Sequence, residues 1–223
     1  MSDTGGQAMD MPSSPETAAD ALRAANERAE RATRRAEALE HLVEAGIAVM
    51  SEPTLPALLE RILLEARRVT NAQAGTLFLL EGDELQFAIA QNDVLAQRFG
   101  NKGVAPRLRE EEPLSLRVPS LAGHVARTGS ILNIPDAYQI PDNRPYMFHP
   151  WWDARNDYQT LSVLAVPLAN RQGRVIGVLE LINALDAEGR PAPFDADYEP
   201  LVRALAAQAA LAIIHLTDRA LTV

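Results

Sequence analysis

The stretch YQTLSVLAVPLANRQGRVIGVLELIN, residues 158–183, decides how the rest of the chain is read. Two apolar runs, LSVLAVPLA and VIGVLELI, flank the polar segment from Asn170 to Gly173. Runs rich in Val, Leu and Ile that stop at Asn, Gly and charge are the pattern of two buried strands joined by a tight turn. Such a turn reverses the chain, so the two strands are antiparallel neighbours.

Upstream, SLAGHVARTG (120–129) reads as a short helix capped by Ser120 and stopped by Gly129, and SILNI (130–134) as a strand. A segment containing Pro135, Pro141, Pro145 and Pro150 then runs to residue 160. It is longer than a connection requires, which marks a lid or binding segment. Earlier still, AGTLFLLEGDELQFAIAQ (74–91) is a hairpin around Glu81-Gly82-Asp83. It follows an amphipathic helix with Thr54 as cap, Pro56 in the first turn, Leu58, Leu59, Ile62, Leu63 and Ala66 on one face, and an end near Asn71. After residue 183, Asp197 is expected to cap a last helix with Leu201, Leu205, Ala209, Ala212 and Leu216 on its inner face. This order predicts an α+β domain. A central antiparallel sheet of about six strands carries the first and last helices on one face and the long loop on the other.

The chain has 223 residues, 47% of them hydrophobic, enough for one substantial core. Its net charge of −9 repels phosphates, and the basic cluster RATRR (31–35) is interleaved with Glu, so no nucleic-acid or anionic-membrane partner is expected. The absence of Cys excludes disulfides, thiolate metal sites, Cys nucleophiles and thioether-linked cofactors, and fits a reducing compartment. No run of about 18 apolar residues and no signal-peptide pattern is evident, so a soluble cytoplasmic protein is expected.

Residues 1–18 are Ser-, Pro-, Gly- and Asp-rich and are expected to form a disordered tail. Over 19–50, Leu22, Ala25, Ala29, Ala32, Ala36, Leu39, Val43, Gly46 and Met50 alternate steps of three and four. This coiled-coil seam predicts an N-terminal helix that pairs with a second copy of the chain. A solvated single helix with an accidental Ala stripe is the competing reading, because Ala buries little area.

Three segments in order, AGHVARTG, LNIPDAY and VIGVLELIN, resemble GAF domains of the cyclic-nucleotide phosphodiesterase and adenylate-cyclase type, and the likeness extends over residues 40–218. The resemblance implies the GAF fold. It also implies a strand-to-helix tie built on an Asn-Lys pair and on a Phe followed by Asp-Glu. Asn183, Phe194 and Glu199 match that pattern, whereas Ala184 and Tyr198 stand where the Lys and Asp of an ion pair would be. Losing both avoids stranding one charge.

The resemblance further implies a small-molecule pocket under the loop, with phosphate held by the amides of Leu121 and Ala122 at a helix start. Asp153, Thr160 and Glu180 match binding positions, Thr76 replaces a frequent Ser, and His149 and Asn156 hold pocket positions with changed identity. Ala90-Gln91 stands in place of a Phe-Asp pair that meets guanine, although Gln91 can still donate and accept. The adjacent Trp151 and Trp152 either line the pocket or plug it.

The expected function is therefore a non-catalytic sensory domain. It would bind a small molecule, a cyclic nucleotide being one candidate, and signal through a homodimer to an effector such as a cyclase or cyclic-di-nucleotide phosphodiesterase. No cofactor is assigned with certainty; a cyclic nucleotide or another small ligand is the candidate. Two alternatives remain open: a ligand-free dimerisation scaffold, and a haem-based gas sensor using His124 or His149, with His124 more readily explained as a structural histidine.

Overall fold

The computed structural model describes residues 52–100 and 112–220, with scattered helical positions between 19 and 47. The expected tail over 1–18 and the seam positions Ala32, Leu39 and Met50 lie outside the described residues. Contacts divide the chain into Met1–Ala38 and Leu39–Val223. In the first unit the described positions, Leu22 among them, are helical and exposed.

The second unit opens its regular structure with α1 (Leu55–Thr70), whose apolar face buries Leu58, Ile62, Leu63 and Ala66. It stops at Asn71, which takes the left-handed conformation with φ 51°. The Asn71 side chain donates to the Leu185 carbonyl at 2.8 Å, and the Leu185 amide donates back to the Asn71 carbonyl at 2.9 Å. The chain continues through β1 (Ala72–Glu81), β2 (Glu84–Asn92), α2 (Asp93–Phe99), β3 (Leu114–Ser115), α3 (Leu121–Thr128) and β4 (Leu132–Ile134). After the loop come α4 (Trp151–Asn156), β5 (Val163–Ala169), β6 (Val175–Leu185), β7 (Pro191–Ala192) and α5 (Tyr198–Ala220).

The strands form one antiparallel sheet in the order β3-β2-β1-β6-β5-β4, with β7 added at the end of β6. The central β1–β6 pair joins the two hairpins read from the sequence. At Gly75 in β1 a Cβ would stand 2.8 Å from Leu63 Cδ1 and 2.9 Å from the Glu180 carbonyl, so glycine is what lets α1 lie this close to the sheet. The result is an α+β architecture with α1 and α5 on one face and the loop with α3 and α4 on the other.

Helix α5 buries Leu201, Val202, Leu205, Ala206, Ala209 and Ile213, whereas Ala212 and Leu216 sit half-buried at the margin. The stripe is shifted and widened because α5 rests on both α1 and β5. Residues Tyr198–Asp218 are apolar and long enough to cross a membrane by length and composition, which corrects the expectation that no segment is. In the fold, 39% of that window is buried against the core. At its start, the Asp195 carboxylate accepts the Asp197 amide at 3.0 Å. Gly46 is buried, and a Cβ there would collide with Gln208 of α5, so this seam position faces its own chain while Val43 and Ile47 are 62% and 65% exposed.

Strand β6 continues two residues past Asn183, to Leu185, where it pairs with β7, so the expected strand end at Asn183 is corrected. Asn183 sits at φ 55°, a left-handed conformation that Asn tolerates. Its Oδ1 accepts the amides of Leu161 at 2.7 Å and Ser162 at 3.2 Å. Its Nδ2 donates to the Gln159 carbonyl at 2.8 Å and to Tyr158 Oη and Gln73 Oε1, both at 3.1 Å. In place of the missing ion pair stand hydrogen bonds, one of them to a carboxylate. Ser162 Oγ accepts the Ala184 amide and donates to the Ala192 carbonyl, and Asn133 Nδ2 donates to Glu199 Oε1 and the Phe194 carbonyl. Asn183→Ala is expected to lower unfolding free energy by about 2–4 kcal/mol in urea titration, since it strands several buried backbone groups at once.

Candidate functional site

Between the sheet and the loop lies a cavity of about 160 Å³. Its floor is the sheet face bearing alternate residues of the central strands. Thr76 is paired across to Ala90 on one side and Glu180 on the other, and Ala74 is paired with Ile182. Period-two alternation puts these side chains on one face and Gly75 with Gln91 on the opposite one. The wall is α3, with Leu121 and Ala122, and the roof is Met147, Phe148, His149, Trp151 and Trp152. Phe78 and Phe87, with ring centroids 4.8 Å apart, also line the cavity.

The expected site residues divide into three groups. Thr76, Leu121, Ala122 and Glu180 present themselves to the cavity. Asp153 and Thr160 line it, but their polar atoms serve each other: Asp153 accepts Thr160 Oγ1 at 2.9 Å, the Thr160 amide at 2.6 Å and Tyr138 Oη at 2.8 Å. That pair is a clasp holding α4 to the descending end of the loop. His149 also lines the cavity, with Nε2 2.9 Å from the Pro119 carbonyl, where the protonated nitrogen donates.

Two further expected residues engage their side chains elsewhere, although Gln91 is among the residues that line the cavity. The Gln91 side chain is turned to the helical face, where Oε1 accepts from Arg67 Nη1 at 3.1 Å and Nε2 donates to the Glu60 carbonyl at 3.0 Å. The buried Arg67 fixes that arrangement by also donating to the Ala72 and Gln73 carbonyls and pairing with Asp93 at 2.5 Å. Only the Ala90 methyl faces the cavity at the strand position expected to meet a base. Asn156 stands outside the cavity and closes α4 by donating to the Trp152 carbonyl at 2.9 Å. The two Trp residues line the space without filling it, Trp152 packing on Leu95 and Trp151 remaining 49% exposed.

Sequence reasoning did not single out Phe78, Phe87, Met147 or Phe148. The available signal was Phe78 two residues beyond Thr76 on one strand, which places both on one face.

At the α3 start, Ser120 Oγ accepts the Gly123 amide at 3.0 Å. Burial raises the Glu180 carboxyl to about 7, partly offset by the electrostatic pull of the Ala122 backbone. Tyr138 is pushed up to about 12, by burial first and then by its bond to Asp153. His124 lies outside the cavity, stacked edge-on against Tyr146 at 4.9 Å, and burial followed by the nearby Arg127 lowers its pKa. For a haem, His149 alone among the described histidines lines the cavity, and its Nε2 is engaged on the Pro119 carbonyl.

Glu180 holds its proton to higher pH when folded than when unfolded. Between about pH 4.5 and 7 the folded state therefore binds more protons, and this group's contribution to stability falls as pH rises, levelling above 7. Glu180→Gln is expected to flatten that part of the stability profile, with a gain on the order of 1–3 kcal/mol at pH 8 relative to pH 4.5, read by denaturant unfolding at both values.

A family model of the GAF domain matches residues 54–213, and the chain belongs to the GAF family. It is 32% identical over 136 residues to the cGMP-specific 3',5'-cyclic phosphodiesterase of Drosophila virilis, an alignment covering 60% of this chain and 15% of the relative. Among solved structures it is similar to the GAF domain from a phosphoenolpyruvate-protein phosphotransferase of Coxiella burnetii, with TM-score 0.65, 19% identity, and 84% and 98% of the two chains covered. It is also similar to a free methionine-R-sulfoxide reductase from Neisseria meningitidis in complex with its substrate, with TM-score 0.60, 17% identity, and 83% and 93% covered. At these identities the structural likeness carries the fold alone. The chain spans about 15% of the length of that curated phosphodiesterase.

Proposed function

We infer that this GAF domain is a non-catalytic, cytoplasmic sensor that binds a small molecule beneath residues 134–160 and passes its bound state to an effector. GAF domains are regulatory and sensory domains of signalling proteins, and they commonly sit beside effectors such as phosphodiesterases or cyclases. The observation that carries the reading is the cavity itself, in which Thr76, Glu180 and the α3 start meet an aromatic roof. A core built only for stability closes such a space, because unfilled apolar volume costs packing energy. The test is a thermal-shift screen of a fragment library against wild type and Ala90→Phe, which fills the floor. At least one compound is expected to raise the melting temperature of wild type and not of the variant. If no compound does so, the sensor reading fails and the ligand-free scaffold stands.

The signal is proposed to travel through a homodimer. Val43 and Ile47, four residues apart on the helix preceding α1, are apolar and exposed, while Gly46 on its other side approaches α5. A face of this kind suits a second copy of the same helix. Val43→Glu combined with Ile47→Glu is expected to convert a dimer to a monomer in sedimentation velocity; a variant that stays dimeric excludes this helix as the interface.

A further inference from the structure

A second space lies apart from the cavity under the roof. It is an open groove of about 500 Å³, lined by α2, by the chain that descends from α4 towards β5, and by the ends of β1 and β6. No described residue lines both spaces. Tyr158 of the groove meets Trp152 of the roof edge-on, with ring centroids 6.2 Å apart.

Hydrogen bonds that run to the backbone fix which polar atoms the groove offers. Asn183 Oδ1 accepts the amides of Leu161 and Ser162, so its Nδ2 must donate, and it does so to Gln73 Oε1 and Tyr158 Oη. Burial, and after it the nearby Asp153, raise the pKa of the Tyr158 hydroxyl, which therefore stays a donor and gives its proton to the same Gln73 oxygen at 2.8 Å. With Oε1 receiving two bonds the Gln73 carboxamide is oriented, and its Nε2 is left as a donor.

Arg98 supplies the charge. Its guanidinium is anchored on the backbone, Nη1 donating to the Asp157 carbonyl at 2.6 Å and to the Asn156 carbonyl at 3.4 Å. Among the described residues its hydrogen bonds all run through Nη1, which leaves the edge formed by Nε and Nη2 for a side-on pair with a carboxylate. The opposing charge among the described lining residues is Asp157, whose carboxylate is 98% exposed and 3.4 Å from Nη1. An exposed pair of that kind contributes little, so an incoming carboxylate displaces it at small cost. Val94, Leu161 and Pro191 give the groove apolar sides.

We propose that this groove is a second binding site, which takes a small carboxylate with a compact apolar body. The carboxylate pairs with the Nε–Nη2 edge of Arg98, Gln73 Nε2 is a further donor on the wall, and the body lies against Val94, Leu161 and Pro191. The volume falls in the range of roughly 300–1,000 Å³ that small-molecule sites occupy.

Cyclohexanecarboxylate is the probe, and cyclohexanecarboxamide, the same body without the charge, is its control. By calorimetry on the full chain at neutral pH, the carboxylate is expected to bind saturably and about tenfold more tightly than the amide. Arg98→Gln is expected to lose about tenfold of that affinity, and Val94→Trp, which narrows the groove without touching its charges, a similar amount, both variants unfolding cooperatively. Ala90→Phe, which fills the cavity, is expected to leave the affinity within about twofold. Binding lost in Ala90→Phe and kept in Arg98→Gln would move the carboxylate to the cavity and overturn the groove site. Equal binding of the amide, or no saturable binding of the carboxylate, overturns it as well. The fragment screen of the cavity succeeds or fails independently, because Ala90→Phe and Arg98→Gln act on separate spaces.

Discussion

Asn183 is the constraint on which the site depends. A single carboxamide, held at a left-handed backbone position, reaches Gln73 on β1, the carbonyl of Gln159, the hydroxyl of Tyr158 and the amides that open β5. Without those bonds the loop returns to the sheet with several polar groups unpaired in an apolar setting. With them, its end is fixed, and the Asp153–Thr160 clasp one turn of chain away can close α4 over the sheet. The cavity exists because the roof is hung from two polar points rather than packed flat on the floor.

The two faces of the sheet are used differently for a physical reason. On the helical face, Gly75 and the alanines of α5 allow α1 and α5 to approach the sheet closely. On the other face Thr76, Ala90 and Glu180 place small and polar groups beneath large rings. Large side chains above small ones leave a gap that only another molecule or a collapse of the loop can fill. Proline at positions 135, 141, 145 and 150 works against collapse by fixing φ along the loop.

Family membership and the individual side chains of the cavity decide different things. Family membership fixes the scaffold and the position of the site. Ligand contacts are set by individual side chains, and here the Gln91 side chain is turned to Arg67 and the Glu60 carbonyl while Glu180 lines the cavity. A scaffold shared at 32% identity over part of a relative leaves those choices free to differ.

The hairpins, the order of elements, the short helix of residues 121–128 and the existence of a covering loop were legible in sequence, because apolar period, turn residues and caps are local properties. Asn183 as a structural tie was legible too, as the polar residue that interrupts the apolar run of β6. The direction of Gln91 was not: one residue of register exchanges the two faces of a strand, and the buried Arg67 that captures Gln91 lies 24 residues away. Nor could the sequence foretell that Asp153 and Thr160 spend their polar atoms on each other, or that Gly46 faces Gln208 of its own chain. Strand and helix follow from spacing along the chain. Which side chain meets empty space, and with what charge, is decided by packing between segments distant in sequence.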